Sequence, residues 1–333
     1  MENSKPLVLV AHPRSRSSAF ERVFIQNQQN VNCLHEPFGD AYWLGSERQL
    51  GRYDDVRAAS GFIDATYKKV MDNILEWQKT SVSQHKRLFM KEMAFFLFPA
   101  PGHLLHIASS FGLDTPEPKN PTLLPRSELA KLHFTFLIRH PYLAVPSYYR
   151  LSLPGQRERS KVKEFNTDDL GYSELRHLFV YLLEERLIGQ SPVRKFGELT
   201  NGVHNHDNHF SHAEGDNICV IDAEDLMKHP DKIISTYCKK TGIPYDPSIL
   251  QWDKTEDQER AAAVIDRWGV SVYFHKAVLT STGLGAKNQG NSDHPYYSWV
   301  REFGVEGANK VKEAAELQMD DYNYLRKFVL VVD

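Results

Sequence analysis

Residues 6–24, PLVLVAHPRSRSSAFERVF, read as a strand, a tight loop and a helix in succession, and a chain carrying this unit has few architectures open to it. Leu7 to Val10 form a short apolar run with no polar alternation, the pattern of a parallel strand covered on both faces. Pro13 ends the strand. Ser15, Ser17 and Ser18 are candidate N-caps for the helix, whose Phe20, Val23 and Phe24 fall on one face. A helix N-terminus directs unpaired N–H groups and the positive end of its dipole into the preceding loop, so this turn is equipped to bind an anion. Arg14 and Arg16 add charge, and the serines add hydroxyls. The loop lacks the glycines and the lysine of GxxxxGK[ST], which argues against an ATPase or GTPase.

The loop Pro13-Arg-Ser-Arg-Ser-Ser18 resembles the PRSGTT or PKSGTT loop of sulfotransferases, which binds the 5′-phosphosulfate of 3′-phosphoadenosine 5′-phosphosulfate (PAPS). The resemblance implies PAPS as co-substrate, with Arg14, Ser15, Arg16, Ser17 and Ser18 around it. Arg16 stands where that family usually has glycine, so its side chain is expected to point away from the nucleotide or to hold the backbone back from it.

A second unit of the same kind lies at 132–150. A strand runs to Ile138, Pro141 opens a helix where a missing N–H is harmless, and Ser147 lies two turns along it. Arg139, Pro141 and Ser147 keep the RxPxxxxxS spacing of the sulfotransferase 3′-phosphate motif, and a guanidinium and a hydroxyl so placed can grip one phosphate from two sides. The resemblance implies that Arg139 and Ser147 hold the 3′-phosphate.

Between these units, Val31 to His35 is a strand candidate ending in Glu36-Pro37-Phe38, which puts a carboxylate at a strand's C-terminal edge, where open α/β sheets bind ligands. A glutamate in the corresponding stretch serves as the base in trehalose-type and protein-tyrosine sulfotransferases, and Glu36 matches it. Arg87 to Leu97 reads as a third buried strand carrying Lys91 and Glu92, and a lysine at that depth requires an anion beside it. The segment resembles the lysine-bearing KTH strand of cytosolic sulfotransferases, with Met93 where those enzymes place a catalytic histidine. The histidine mechanism therefore does not carry over. Glu36, with Glu92 behind it, is the expected base, and Arg14, Glu36 and Lys91 form the expected catalytic set.

The remaining segments read mainly as packing. Asp54 to Lys79 is helical in pattern with Phe62, Tyr67, Val70, Ile74, Leu75 and Trp77 on a core side, and Gly171 to Ile188 is an amphipathic helix. Asn217 to Asp222 is a strand, followed by Ala223-Glu-Asp-Leu and a helix closed by Gly242. This run resembles the family's YEDL segment, with Ala223 replacing the aromatic residue that contacts adenine. Arg260 to Leu279 looks helical, and the glycine-studded 281–290 loop carries Lys287, which the resemblance places over the nucleotide. His204, His206, His209 and His212 lie in a Gly/Asn/Asp-rich stretch that reads as a solvated loop rather than a metal site. Residues 294–327 form a helical tail with Val305, Val311 and Leu317 as packing positions.

Composition narrows the rest. In 333 residues with 41% hydrophobic content and a formal net charge of -3, a core is affordable but a general affinity for nucleic acid or anionic membranes is not expected. Cys33, Cys219 and Cys238 are far apart, so no disulfide framework or zinc site is indicated, which suits a reducing compartment. The apolar run at 7–11 is too short for a signal peptide or a membrane span. The expectation is a soluble, cytoplasmic protein. Strands at 7–10, 31–35, 87–91, 132–138 and 217–222 alternate with helices, which predicts an α/β fold with a doubly wound parallel sheet flanked by helices. The resemblance makes it the P-loop-like sulfotransferase fold, one domain over 1–333 with a C-terminal helical portion at 294–327. It implies sulfuryl transfer from PAPS to a hydroxyl of a small-molecule acceptor, without a metal. The alternatives are a PAPS-independent cyclase or lyase on the same fold, or a non-catalytic nucleotide-binding protein.

Overall fold

The computed structural model describes residues 5–113, 117–189, 218–266, 278–285 and 295–332. Its framework is β1 (Leu7–Ala11), α1 (Ser17–Gln26), β2 (Val31–His35), α2 (Tyr67–Ser83) and β3 (Arg87–Met93). There follow β4 (His133–Ile138), α3 (Pro141–Tyr149), α4 (Tyr172–Glu184), β5 (Val220–Asp222), α5 (Ala223–Lys228) and α6 (Pro230–Thr241). The last helices are α7 (Thr255–Ile265), α8 (Pro295–Leu317) and α9 (Met319–Arg326).

The five strands form one parallel sheet in the order β2-β3-β1-β4-β5. β1 is central, and its uninterrupted apolar run has a use on each side. Val8 and Val10 join Leu88, Met90, Phe134 and Phe136 in one core layer, while Leu7, Leu9 and Ala11 join Phe20, Phe24 and Phe89 in the other. Alternate residues of a strand face opposite ways, so an all-apolar strand needs helices on both faces. On the second face the Phe24 and Phe89 rings stack 4.5 Å apart, and Phe20 meets Tyr237 edge-on at 4.9 Å.

The chain leaves β1 toward β3 and β2 and later returns to the other side of β1 to make β4 and β5. The connections diverge between the C-terminal ends of β1 and β4, which is where such sheets open a crevice. The two loops singled out as anion sites are the loops at this point.

The C-terminal helices are built into the same body. α8 packs across α3, with Trp299 edge-on to Tyr142 at 5.6 Å, and the Tyr322 hydroxyl donates to the buried Asp222 carboxylate at 2.7 Å. Leu330 N–H donates to the Val220 carbonyl at 2.8 Å, so the chain end adds to the β5 edge. Among the described residues, no helix is long and apolar enough to cross a membrane.

Some expected elements differ. The helix predicted over 54–79 is a short turn at Asp54–Arg57 and a separate α2, because Gly61 takes a positive φ of 78° and Thr66 starts a new helix by accepting from Lys69 N–H. Trp77 is 50% exposed on the outer face of α2. In the C-terminal portion Val311 is buried, but Val305 and Leu317 are exposed. Gly304, at φ 72°, breaks the helical phase on which their alignment relied. β3 runs to Met93, past the 87–91 range of the expected strand but short of Leu97, because Ala94–Leu97 form a 3₁₀ turn, and β5 begins at Val220. Lys287, the 204–212 histidines, Asn217 and the 267–277 part of the predicted 260–279 helix lie outside the described residues.

Candidate active site

The loop after β1 departs from the expected capping. α1 begins at Ser17 with Arg16 at the N-cap, and no side chain caps it. Arg14 and Arg16 both hold left-handed backbone, φ 63° and 68°. That conformation costs a residue bearing a Cβ about 1–2 kcal/mol, and such outliers gather at ligand-binding turns. The loop so turned leads into the N-terminus of α1, whose Ser17, Ser18 and Ala19 line the cavity. Glu36, just past β2, is also left-handed at φ 44°, with its N–H bonded to the Lys91 carbonyl at 2.9 Å.

His12 joins the two loops. Its ring is fully buried and stacked on Tyr172 with centroids 3.8 Å apart. Nδ1–H donates to the Pro13 carbonyl at 2.9 Å, and Nε2 accepts the Arg139 N–H at 3.0 Å. Only the neutral Nδ1–H tautomer satisfies both contacts. Burial, with a smaller contribution from Arg139, lowers its pKa to about 3, so it stays neutral and serves as a strut between β1 and β4. The sequence reading missed it, although its place between the strand and Pro13 was visible.

The two basic loops meet at one place. Arg14 Nε donates to the Ser147 hydroxyl at 2.9 Å, and Arg139 Nη1 donates to the Arg14 carbonyl at 3.1 Å. Arg139 Nε also donates to Glu224 Oε1 at 3.1 Å, and the other Glu224 oxygen accepts the His140 N–H at 3.3 Å. Glu224, at the first turn of α5, was quoted in the Glu-Asp-Leu segment without a role. Burial and the neighbouring Asp222 raise its pKa, against the pull of Arg139. Arg16 has its pKa lowered by burial and by Arg139, and raised by Glu224, so it lies in the same electrostatic cluster. Three guanidinium groups and one carboxylate therefore stand at this end of the crevice.

Behind them lies a cavity of about 770 Å³, lined by Arg14, Arg16, Ser17, Ser18, Glu36, Arg139 and Ser147 among others. Ser15 is buried in the loop, and among the described residues neither its hydroxyl nor the buried Arg16 Nε has a hydrogen-bond partner. Lys91 is fully buried and reaches the cavity through an ion pair to Glu36 Oε1. The lysine has the anion that its depth required. Behind Glu36 stands His35, with Nε2 3.9 Å from Glu36 Oε1 and Nδ1 2.8 Å from the buried Glu21.

Glu92, the second choice for the base, faces away from the cavity. Its two oxygens accept the backbone N–H groups of Phe38 and Met93 at 2.9 and 2.8 Å, and burial, together with Glu36, raises its pKa strongly. It fixes the turn that carries Glu36 and Phe38. Beyond Glu36 the cavity continues between aromatic side chains, with Arg52, Asp169 and Tyr148 on its wall. No spacing rule pointed to these residues, which come from three separate segments: the turn at Arg52, the end of α3 at Tyr148, and the turn at Asp169. Among the described residues no group of three His, Cys, Asp or Glu is placed to hold a metal ion.

No protein-family model matches the chain. It is similar to two curated proteins, each named sulfotransferase ppzF. The one from Metarhizium majus is 24% identical over 342 residues, covering 96% of this chain and 94% of that protein. The one from Metarhizium rileyi is 22% identical with the same coverage. Among solved structures, a sulfotransferase from Alicyclobacillus acidocaldarius aligns over 83% of this chain and 95% of its own, at 13% identity and a TM-score of 0.41.

Proposed function

We propose that this chain, similar to sulfotransferases along nearly its whole length, transfers a sulfuryl group from PAPS to a hydroxyl of a small molecule. The names of its relatives support sulfotransferase-type activity. The donor, the base and the acceptor class are our reading of the site. One observation carries it: the loops after β1 and β4 are bound together through Arg14, Ser147 and Arg139 at the mouth of a single cavity that also contains Glu36.

The residues present fit a doubly phosphorylated nucleotide. Three guanidinium groups against the Glu224 carboxylate leave a cationic surplus, the N-terminus of α1 adds amides, and Arg16 Nε is a buried donor with no partner among the described residues. In this reading, bound PAPS supplies the activated sulfuryl group. Arg14 and the loop amides stabilise negative charge on the departing phosphate oxygen, while Ser147 holds the Arg14 guanidinium in place. Arg139, locked at its backbone by His12, holds the 3′-phosphate and so aligns the sulfur for attack. Glu36 takes the acceptor proton, and its ion pair with Lys91 beneath it holds the carboxylate in place.

Thermal-shift titration with 3′-phosphoadenosine 5′-phosphate (PAP) tests the donor, because a ligand bound to the folded state alone raises the melting temperature. Assay of Arg14→Ala with labelled PAPS tests the chemistry, and the expected loss is about a hundredfold in turnover, the scale for removing one preorganised donor. An absent PAP shift, or unchanged turnover in Arg14→Ala, refutes the assignment.

A further inference from the structure

The half of the cavity beyond Glu36 has no assigned ligand, and its chemistry is specific. Trp43, Phe95, Phe96 and Tyr53 form its apolar side, braced against one another by edge-to-face contacts. The Trp43 ring lies 5.2 Å from Tyr53 and 5.9 Å from Phe96, and Phe95 lies 4.6 Å from Phe96. Rings fixed in this way cannot turn to suit a bulky occupant, and they offer faces and edges to a flat one.

Facing these rings is the Arg52–Asp169 ion pair. Arg52 Nη2 donates to Asp169 Oδ2 at 2.6 Å, the Tyr148 hydroxyl donates to the same oxygen at 2.8 Å, and the guanidinium lies 4.9 Å from the Trp43 ring. The Arg52 and Asp169 side chains are 19% and 16% exposed, and both line the cavity. Because both donors converge on Oδ2, neither is spent on Oδ1, and the Arg52 Nε and Nη1 hydrogens are not spent on Asp169. A donor-only group thus stands beside an acceptor-only group.

The charged side chains lining this part of the cavity are each paired. Arg52 is paired with Asp169, Glu36 with Lys91, and Arg150 at the rim with Glu302. A charged acceptor would enter a half-buried space whose counter-ions are already engaged, which is unfavourable. A sugar would bring many hydroxyls to a wall that is mostly aromatic.

We propose that this half of the cavity binds a flat, uncharged hydroxyaromatic acceptor whose far end carries a carboxamide-like group, its N–H toward Asp169 and its C=O toward Arg52, with the hydroxyl at Glu36. This rests on the sulfuryl-transfer reading for the role of the hydroxyl, but not for binding itself.

The test uses the full chain saturated with PAP, titrated calorimetrically with 4-hydroxybenzamide, phenol, 4-hydroxybenzoate, tyramine and trehalose. 4-Hydroxybenzamide should bind about tenfold tighter than phenol, the value of one or two net hydrogen bonds, and the two charged analogues and the sugar should bind more weakly than phenol. Asp169→Asn keeps an oxygen for Arg52 and Tyr148 but presents an amide to the ligand, and it should erase the benzamide advantage. The PAP-induced melting shift in the same sample reports that this variant is folded. Tightest binding of 4-hydroxybenzoate, tyramine or trehalose, binding of none of the five, or an unchanged preference in Asp169→Asn overturns the proposal. If 4-hydroxybenzamide binds as expected but is never sulfated with PAPS, the acceptor site stands and the sulfuryl-transfer reading falls.

Discussion

Glu224 offsets part of the positive charge that Arg14, Arg16 and Arg139 bring to their end of the cavity. Its carboxylate occupies Arg139 Nε, where a phosphate oxygen would compete for the same donor. Its pKa is raised, chiefly by burial, so its proton uptake begins at a higher pH than for an ordinary glutamate. Protonation removes the competing charge, so PAP should bind more tightly as pH falls through the titration of Glu224. The phosphates, with a second pKa of about 6, oppose this trend at lower pH. Glu224→Gln keeps the hydrogen-bond geometry without the charge. It should strengthen PAP binding at neutral pH by about five- to tenfold, the scale of one charge at close range under nearly water-like screening. The variant should also lose the part of the pH dependence due to Glu224. Calorimetry of both proteins across pH 5 to 8 checks this, and identical pH profiles would show that Glu224 does not compete. Single residues of this kind were only partly legible in the sequence. Lys91 announced itself, since a lysine in an apolar strand demands a counter-charge, and Glu36 supplies it. His12 did not, because its importance lies in contacts to Tyr172 and to the Arg139 amide, 127 residues away.

At the scale of elements, the turn from β1 into α1 carries strain at two arginines. Arg16 sits where a glycine would hold φ 68° without the Cβ penalty. Arg16→Gly should therefore stabilise the folded protein by up to about 1 kcal/mol, raising the melting temperature by about 2 °C in a chain of this size. The same change removes one of the three guanidinium groups of the cluster, so PAP affinity should fall while apo stability rises. Differential scanning calorimetry with and without PAP separates the two effects. A lower apo melting temperature would mean that the Arg16 side chain stabilises the loop by more than its backbone strains it. The serine-rich loop suggested side-chain capping, yet the N-cap is Arg16 with no such bond. Propensity identified the element and its boundary to within a residue or two, while the loop's own geometry chose the cap.

At the scale of the molecule, the C-terminal helices close the structure rather than append to it. Tyr322 and Arg326 both reach Asp222 Oδ2, which is 1% exposed at the end of β5, one residue before the helix carrying Glu224. Tyr322→Phe removes the shorter of these bonds. It should destabilise the fold by about 1–3 kcal/mol, because a buried carboxylate loses a donor. If 1–333 is one domain, urea unfolding of the wild type and of this variant should be a single transition, with tryptophan fluorescence and far-ultraviolet circular dichroism coinciding. Two resolved transitions would divide the chain and refute the single-domain reading.

The sequence by itself determined the strands, their parallel arrangement and the two basic turns, because each rests on short-range chemistry: apolar runs, proline stops and helix starts within about twenty residues. Tertiary structure alone decided that the two turns meet. Strand order places β1 beside β4, and Arg14 then reaches Ser147 across 133 positions of chain. It also decided that Glu224 opposes Arg139, and that Trp43, Arg52, Tyr148 and Asp169 share one wall. Such pairings depend on where loops from distant segments come to rest, and no local periodicity encodes that.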